Sequence, residues 1–338
     1  MCTSQRLVVL SVLGLSTFGA TASANFLVDG GPRDPGSLRI ANWNVWQSSI
    51  LPDENEERAE AFGRVVQAVD ADIWFLQELH VSSSVLDFHF STRFAPDSGP
   101  WYVHSHGGEA IVSRYPLSFL QDNPEPDAGR SLPMALVDLP DDHFGFDLYA
   151  GSAHFRCCGG TGNDPDRQRE ADALVGWLRD VNLPGEYATL IAGDLNLVGG
   201  QGPLETLLTG DIVNEDIYGP DAAPDADGTA LVNLDPTHND DPDGPTWTFQ
   251  NSNGQSRLDY IVYGDSLLTA TDSLVLNSTE LSFFEREALG LLPGDTVLNL
   301  ETGRFDHLPL VADFTAIPEP SLLGVLLPAG LLMRRRGR

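Results

Sequence analysis

Near the middle of the chain the apolar run Thr189 to Ala192 leads through Gly193 into Asp194, Leu195 and Asn196. If extended geometry persists past the glycine, the side chains of Asp194 and Asn196 project on one side of the strand's carboxyl end. A carboxylate at the mouth of a buried strand is costly unless something uses it. A hard divalent cation, a water and a phosphate oxygen would do so, because carboxylates and amides are the groups that metal-assisted phosphoester chemistry needs. A capped loop followed by a tight turn is the other use of the same two residues. The arrangement recurs: Asn44, Glu78, His154, Asp259 and the pair Asp306-His307 also stand at the ends of apolar or aromatic runs.

The elements that must carry these residues follow from periodicity. Leu38 to Val45 reads as a first strand, and Asp53 can cap a helix over about 54–69, with Ala59, Phe62, Val65, Val66 and Val69 at helical spacing. Asp72 to Glu78 is a buried strand, so strand, helix and strand form a crossover unit. A weaker helical pattern covers 83–93, and 101–105 with 109–113 reads as a hairpin through Gly107-Gly108. Two strands, 131–139 and 146–154, meet at Asp141-Asp142, and a helix over 166–181 precedes the Asp194 strand. Residues 214–245 read as a long acidic loop, and strands resume at 257–263, 274–277 and 307–314. Several strands with about four helices predict two packed sheets with helices outside, and no linker divides them into two domains.

The 338 residues carry a formal net charge of −30, and every one of the 19 cationic side chains is arginine. Such a balance repels polyanions, which argues against a protein that grips long nucleic acid by neutralising its phosphates. A nuclease working through a cation and a few arginines remains compatible with it. Cys157 and Cys158 are adjacent and give no zinc spacing; a strained vicinal disulfide and two free thiols are both open. The glycines at 159–162 lack the Gly-Lys-Ser that would make a nucleotide loop. The acidic loop, with Asp225, Asp227, Asp240, Asp241 and Asp243, lacks EF-hand spacing, leaving a solvated loop or an additional Ca2+ site.

Taken together, the stretches around Asn44 (Ile-Ala-Asn-Trp-Asn-Val), Glu78 (Phe-Leu-Gln-Glu-Leu), 109–117, His154 (Gly-Ser-Ala-His-Phe), Asp194 with Asn196, 246–249 with Asp259, and Asp306-His307 resemble the endonuclease/exonuclease/phosphatase superfamily. The matching stretches span residues 39 to 314. The resemblance implies an α/β (α+β) four-layer sandwich, two mostly antiparallel β-sheets flanked by helices. It also implies Mg2+ or Mn2+ on Glu78 helped by Asn44 and Asp306, with Asp194 activating water and Asn196 holding that water or a phosphate oxygen. His307 paired with Asp259 would supply a cation, His154 would contact the other face of the phosphate, and Arg130 would hold substrate phosphate. Two departures stand out: His80 where DNA-cutting relatives tend to be basic, and the Cys-Cys-Gly-Gly stretch after His154.

The ends carry addresses. Arg6, the apolar run 7–15 and Ala22-Ser23-Ala24 read as a signal peptide over residues 1–24, since the run is too broken to span a bilayer. Pro318-Glu319-Pro320, a short apolar run and a terminal arginine cluster resemble a PEP-CTERM sorting tail over 318–338, which implies export, an exosortase-type processing partner and delivery to the cell surface or its matrix. Residues 25–317 are then the catalytic domain, expected to act as a monomer. The function expected is a metal-dependent phosphodiesterase or nuclease. Two further readings stay open: a sphingomyelinase-like lipid phosphodiesterase, for which 281–292 is the candidate apolar membrane contact, and a catalytically silent surface binding module.

Overall fold

The structure is a computed structural model and describes residues 26–29, 33, 34, 36–46, 50–121, 124, 130–181, 187–296 and 305–317. The expected signal peptide and sorting tail lie outside the described residues. The strands in chain order are β1 (Ser37–Asn44), β2 (Ile73–Gln77), β3 (Tyr102–His106), β4 (Glu109–Ser113), β5 (Leu117–Gln121), β6 (Met134–Val137), β7 (Asp147–His154), β8 (Tyr187–Asp194), β9 (Val232–Asn233), β10 (Phe249–Asn251), β11 (Gly254–Ser256), β12 (Asp259–Tyr263), β13 (Leu268–Val275) and β14 (Leu310–Ala316). The helices are α1 (Phe26–Asp29), α2 (Glu56–Val69), α3 (Ser83–His89), α4 (Asn163–Val181), α5 (Gly202–Thr209), α6 (Glu215–Tyr218) and α7 (Phe283–Leu289).

Two six-stranded sheets form, ordered β13-β14-β1-β2-β4-β3 and β5-β6-β7-β8-β12-β9. Each holds a single parallel pair, β1 with β2 and β7 with β8, and every other pairing is antiparallel. A parallel pair needs a crossover, and α2 and α4 supply the two. The expected four-layer sandwich of mostly antiparallel sheets is therefore what the chain forms.

Period-two alternation sorts each strand's residues between layers. Leu38 and Ile40 of β1, Ile73 and Phe75 of β2, Ile111 of β4, Leu148 and Ala150 of β7, Leu190 and Ala192 of β8 and Ile261 of β12 share one core between the sheets. Trp43, Trp74 and Leu76 face the other way and pack on Phe62 and Val65 of α2 and on Phe90 and Phe94. On the far side, Ile191 and Val262 pack on Leu174 and Leu178 of α4 and Leu204 and Leu207 of α5.

Local chemistry sets several boundaries differently from the periodicity. The helix α2 is capped by Asn55, whose side chain accepts from Arg58 N, rather than by Asp53. The helix expected from 166 begins at Asn163, and the strand expected over 131–139 shortens to β6. The strands β5 and most of β13 and the helices α5, α6 and α7 have no counterpart in the periodicity, and α6 and β9 fall inside the acidic loop. Asp225 of that loop accepts from Ala226 within it and from Ser266 in the connection between β12 and β13, and Asp227 accepts from Thr229, so one carboxylate ties the loop to the sheet and the other serves its own turn. Among the described residues no helix is long and apolar enough to cross a membrane.

Candidate active site

At one end of the inter-sheet core the inward-facing rows turn polar. Continuing each row by two residues leads from Ile40 to Asn42 and Asn44, from Phe75 to Gln77, from Ala150 to Ser152 and His154, and from Ala192 to Asp194. Running backwards, Ile261 leads to Asp259 and Ile111 to Glu109. The residues expected from the sequence are thus gathered at a single rim because their strands end there. Two of them, Glu78 (φ 59°) and Asn196 (φ 50°), sit in the left-handed region, as does Trp46 (φ 48°). Such backbone costs free energy for a residue with a Cβ and clusters at functional sites. Gly193 meets a different demand, since a Cβ there would collide with Ala153 O of the parallel neighbour.

Asp194 is the centre. Its Oδ1 accepts from Asn196 N at 2.9 Å and its Oδ2 from Asn44 Nδ2 at 3.0 Å. His154 Nε2 and His307 Nε2 each lie 3.7 Å from the same Oδ2. Each imidazole is held from behind by a buried carboxylate: His307 Nδ1 lies 2.7 Å from Asp259 Oδ2, and His154 Nδ1 lies 3.1 Å from Glu109 Oε1. Both rings therefore turn Nε2 inward, and that of His154 is buried with no hydrogen-bond partner. Asn44 Nδ2 also donates to Glu78 Oε1 at 3.2 Å, and Asn196 Nδ2 to Phe155 O at 3.1 Å. Arg130 Nη1 lies 3.5 Å from His154 Nδ1, at the edge of the Glu109–His154 pair.

The electrostatics follow from this crowding of acids. Burial pushes the Asp194 carboxyl up, Asp259 adds to the rise, and His307 and His154 oppose it. Burial would depress His307, but Asp259, Asp194 and Asp306 outweigh it and hold the ring up at about 10, an imidazolium at neutral pH. Asp306 is pushed up by burial and by the charge of Glu78, with His307 pulling the other way.

A divalent cation fits this end of the site. Asp306 Oδ1 is buried without a hydrogen-bond partner, and Glu78 and Asp306 oppose one another electrostatically. Mg2+ typically takes one or two carboxylates and keeps several waters, so the two acids suffice. Asn44, expected to help as a ligand, instead turns its NH2 to Glu78 and Asp194 while its Oδ1 accepts from Trp46 N at 3.0 Å, so it orients Glu78 and offers no oxygen to the ion. Among the described residues no group of three His, Cys, Asp or Glu side chains is close enough to hold a metal by itself.

Two residues of the site escape the strand-end pattern. Glu109, like Asp259, opens its strand instead of closing one, but the sequence does not single it out; its parity with Ile111 marks it as inward-facing. Thr248 donates Oγ1 to Asp259 Oδ2 at 2.6 Å and accepts from Asp259 N and Leu258 N at 3.1 Å, fixing the carboxylate behind His307. Of the neighbouring side chains, Arg257 pairs with Asp235 and not Asp259, Arg114 bonds Asp70 and Ser98, and the Phe249 ring lies 4.8 Å from that of His307.

The segment after His154 is tied to α4: Glu170 Oε2 accepts from Arg156 N at 2.8 Å, and Arg167 donates to Arg156 O and Cys158 O. Cys157 and Cys158 are free thiols with their Sγ atoms 2.8 Å apart. Burial pushes Glu170 up to about 8. The fold therefore favours its protonated form, and the penalty for ionising it grows as pH rises from the ordinary carboxylate range to about 8. Glu170→Gln, which keeps an acceptor for Arg156 N, is expected to raise the Tm at pH 8 while leaving it near wild type at pH 4.5. Equal Tm differences at both pH values would contradict this.

The fold with its polar rim places the protein in the DNase I-like class of phosphoesterases. The chain belongs to the Endonuclease/Exonuclease/phosphatase family, whose sequence model matches residues 41–282. Among solved structures it is similar to a humanized D. rerio TDP2, with 15% identity over 83% of this chain and 99% of that one and a TM-score of 0.50. The human Nocturnin catalytic domain with bound sulfate matches at 17% identity over 83% and 95%, with a TM-score of 0.50. ANGEL2, a 2',3'-cyclic phosphatase in complex with adenosine-2',3'-vanadate, matches at 15% identity over 83% and 96%, also with a TM-score of 0.50. At these identities the likeness speaks to the fold. No curated protein sequence matches the chain.

Proposed function

We propose that the protein is a secreted, divalent-cation-dependent phosphodiesterase in which water attacks phosphorus in line with the leaving oxygen. The observation that carries this is the position of Asp194 Oδ2, 3.7 Å from each of two inward-turned imidazole nitrogens, each backed by a carboxylate. Asp194, made more basic by burial, orients the water and takes its proton. Asn196 holds that water or a phosphate oxygen. His307, cationic and fixed by Asp259, meets the charge that grows on the phosphoryl oxygens, and His154 bonds the opposite side. Glu78 and Asp306, with Asn44 beside them, would hold Mg2+ or Mn2+, which supplies charge neutralisation at the phosphate when bound. Arg130 stands where a second phosphate oxygen can be met.

Export rests on residues 1–24 and 318–338, read as a signal peptide and an exosortase-processed tail, and delivery to the cell surface or matrix follows from the same reading. The substrate of first choice is a nucleic acid or small phosphodiester. A phospholipid head group is the second, favoured by α7, where Phe283 is 62% and Phe284 81% exposed, although the flanking Leu281 and Leu291 of the expected contact are buried. The purified protein is assayed with bis-p-nitrophenyl phosphate, plasmid DNA and sphingomyelin vesicles, with Mg2+, Mn2+ or EDTA. Turnover that EDTA abolishes and the metal restores is the expected result. No metal-dependent turnover on any substrate would favour a silent binding module.

A further inference from the structure

Arg58 is an anomaly of the α2 helix. It lies in the first turn of an amphipathic helix on a strongly acidic chain, yet it is only 3% exposed. Its guanidinium turns back toward the catalytic rim, donating to Val45 O and to Trp46 O at 2.8 Å, the two carbonyls that directly follow Asn44. On its other side the same group lies over the Phe305 ring, 4.5 Å from the centroid, and 5.4 Å from the Trp46 ring. Phe305 immediately precedes Asp306. One cation thus joins two segments far apart in sequence, the strand end that bears Asn44 and the segment that bears Asp306.

The charge matters as well as the bonds. Burial lowers Arg58 to about 10, and Asp306 and Glu78 act against that fall, so the guanidinium stands in the field of both carboxylates. It is still a cation at neutral pH. A buried arginine is costly unless it is bonded, and here backbone carbonyls and two aromatic faces receive it, with Asp306 and Glu78 acting on it only as nearby charges. A guanidinium so enclosed is not free to meet a substrate phosphate.

We infer that Arg58 is a positioning residue for the divalent-cation site: it sets the spacing between the Asn44 and Asp306 segments and offsets the repulsion of Glu78 and Asp306. This rests on the cation reading above. Lysine keeps the charge but cannot reach two carbonyls and an aromatic face with one planar group.

The test compares Mn2+ binding by calorimetry, and the rise in Tm that saturating Mn2+ produces, for the wild type, Arg58→Lys and Arg167→Lys. Arg167 is a second buried arginine, 1% exposed, that also caps backbone carbonyls, but on the α4 side. Arg58→Lys is expected to weaken Mn2+ binding by about 10–100-fold, the usual effect of losing an outer-shell support, and to shrink the Mn2+-dependent rise in Tm. Arg167→Lys is expected to lower the metal-free Tm and leave the Mn2+ affinity within about twofold, since it has no contact with the cation end. Wild-type affinity retained in Arg58→Lys overturns the inference while the cation reading stands. No Mn2+ binding by the wild type overturns both. Should Arg58→Lys not fold, Phe305→Leu removes the aromatic face beneath the guanidinium; weaker Mn2+ binding in that variant supports the inference, and unchanged binding overturns it.

Discussion

Asp194→Ala is expected to lower kcat on a phosphodiester by about 10²–10⁴-fold, the range attributed to a positioned general base. The substitution removes the acceptor for Asn44 Nδ2 and for Asn196 N, together with the group that both imidazoles approach. Alanine is a cleaner probe than asparagine, whose NH2 would have to face one of those two donors. Stability should change much less than activity. The lost hydrogen bonds each cost about 0.5–1.5 kcal/mol, and the buried carboxylate, pushed up by desolvation, ceases to be a burden. The measurements are kcat at saturating substrate and metal, and Tm. A loss of less than tenfold in a folded variant would remove Asp194 from the proton-transfer step.

His307→Gln carries the second large effect, a fall of about 10²–10³-fold in kcat, the magnitude found when a preorganised donor to a growing oxyanion is lost. Glutamine can still donate a hydrogen bond but brings no charge. The pH dependence separates the two contributions. His307 is held at about 10 in the fold against 6.5 for the ordinary side chain, so its stabilising contribution is full below about 6.5 and is lost as pH rises toward about 10. The wild-type protein should therefore exceed His307→Gln in Tm by most near pH 6, with the gap closing toward pH 10. A gap that stayed constant or widened with pH would mean that the ring is not the cation inferred.

Much of the site was legible because its chemistry stands at strand ends. Glu78, His154 and Asp194 each follow an apolar run that must be buried, so a polar residue there is conspicuous. Glu109 was not legible by that rule, because it precedes its run; strand parity with Ile111 finds it once the interior face is known. Thr248 lies in a connection that only its tertiary bonds to Asp259 distinguish. Arg58 falls on a helix where arginine is ordinarily solvated, and nothing local shows that it turns inward. The strand β13 is largely illegible because Thr269, Asp272 and Ser273 give it a solvated sheet edge's composition, and pairing with β14 supplies what propensity does not. The helices α5 and α7 are too short for a helical period to show.

Asn44 bonds Asp194, Glu109 meets His154, and His307 meets Asp259; in every pair the first member belongs to the sheet containing β1 or the segment leading into it, and the second to the sheet containing β8. The candidate site is consequently a set of stitches across two leaves, and neither leaf owns it. A slide of one leaf by a single residue repeat, about 3.3 Å, would undo all the stitches at once while leaving every strand hydrogen-bonded. On heating, turnover should fade before backbone dichroism does, because alignment of the leaves depends on the apolar packing between them and the strands' own ladders do not.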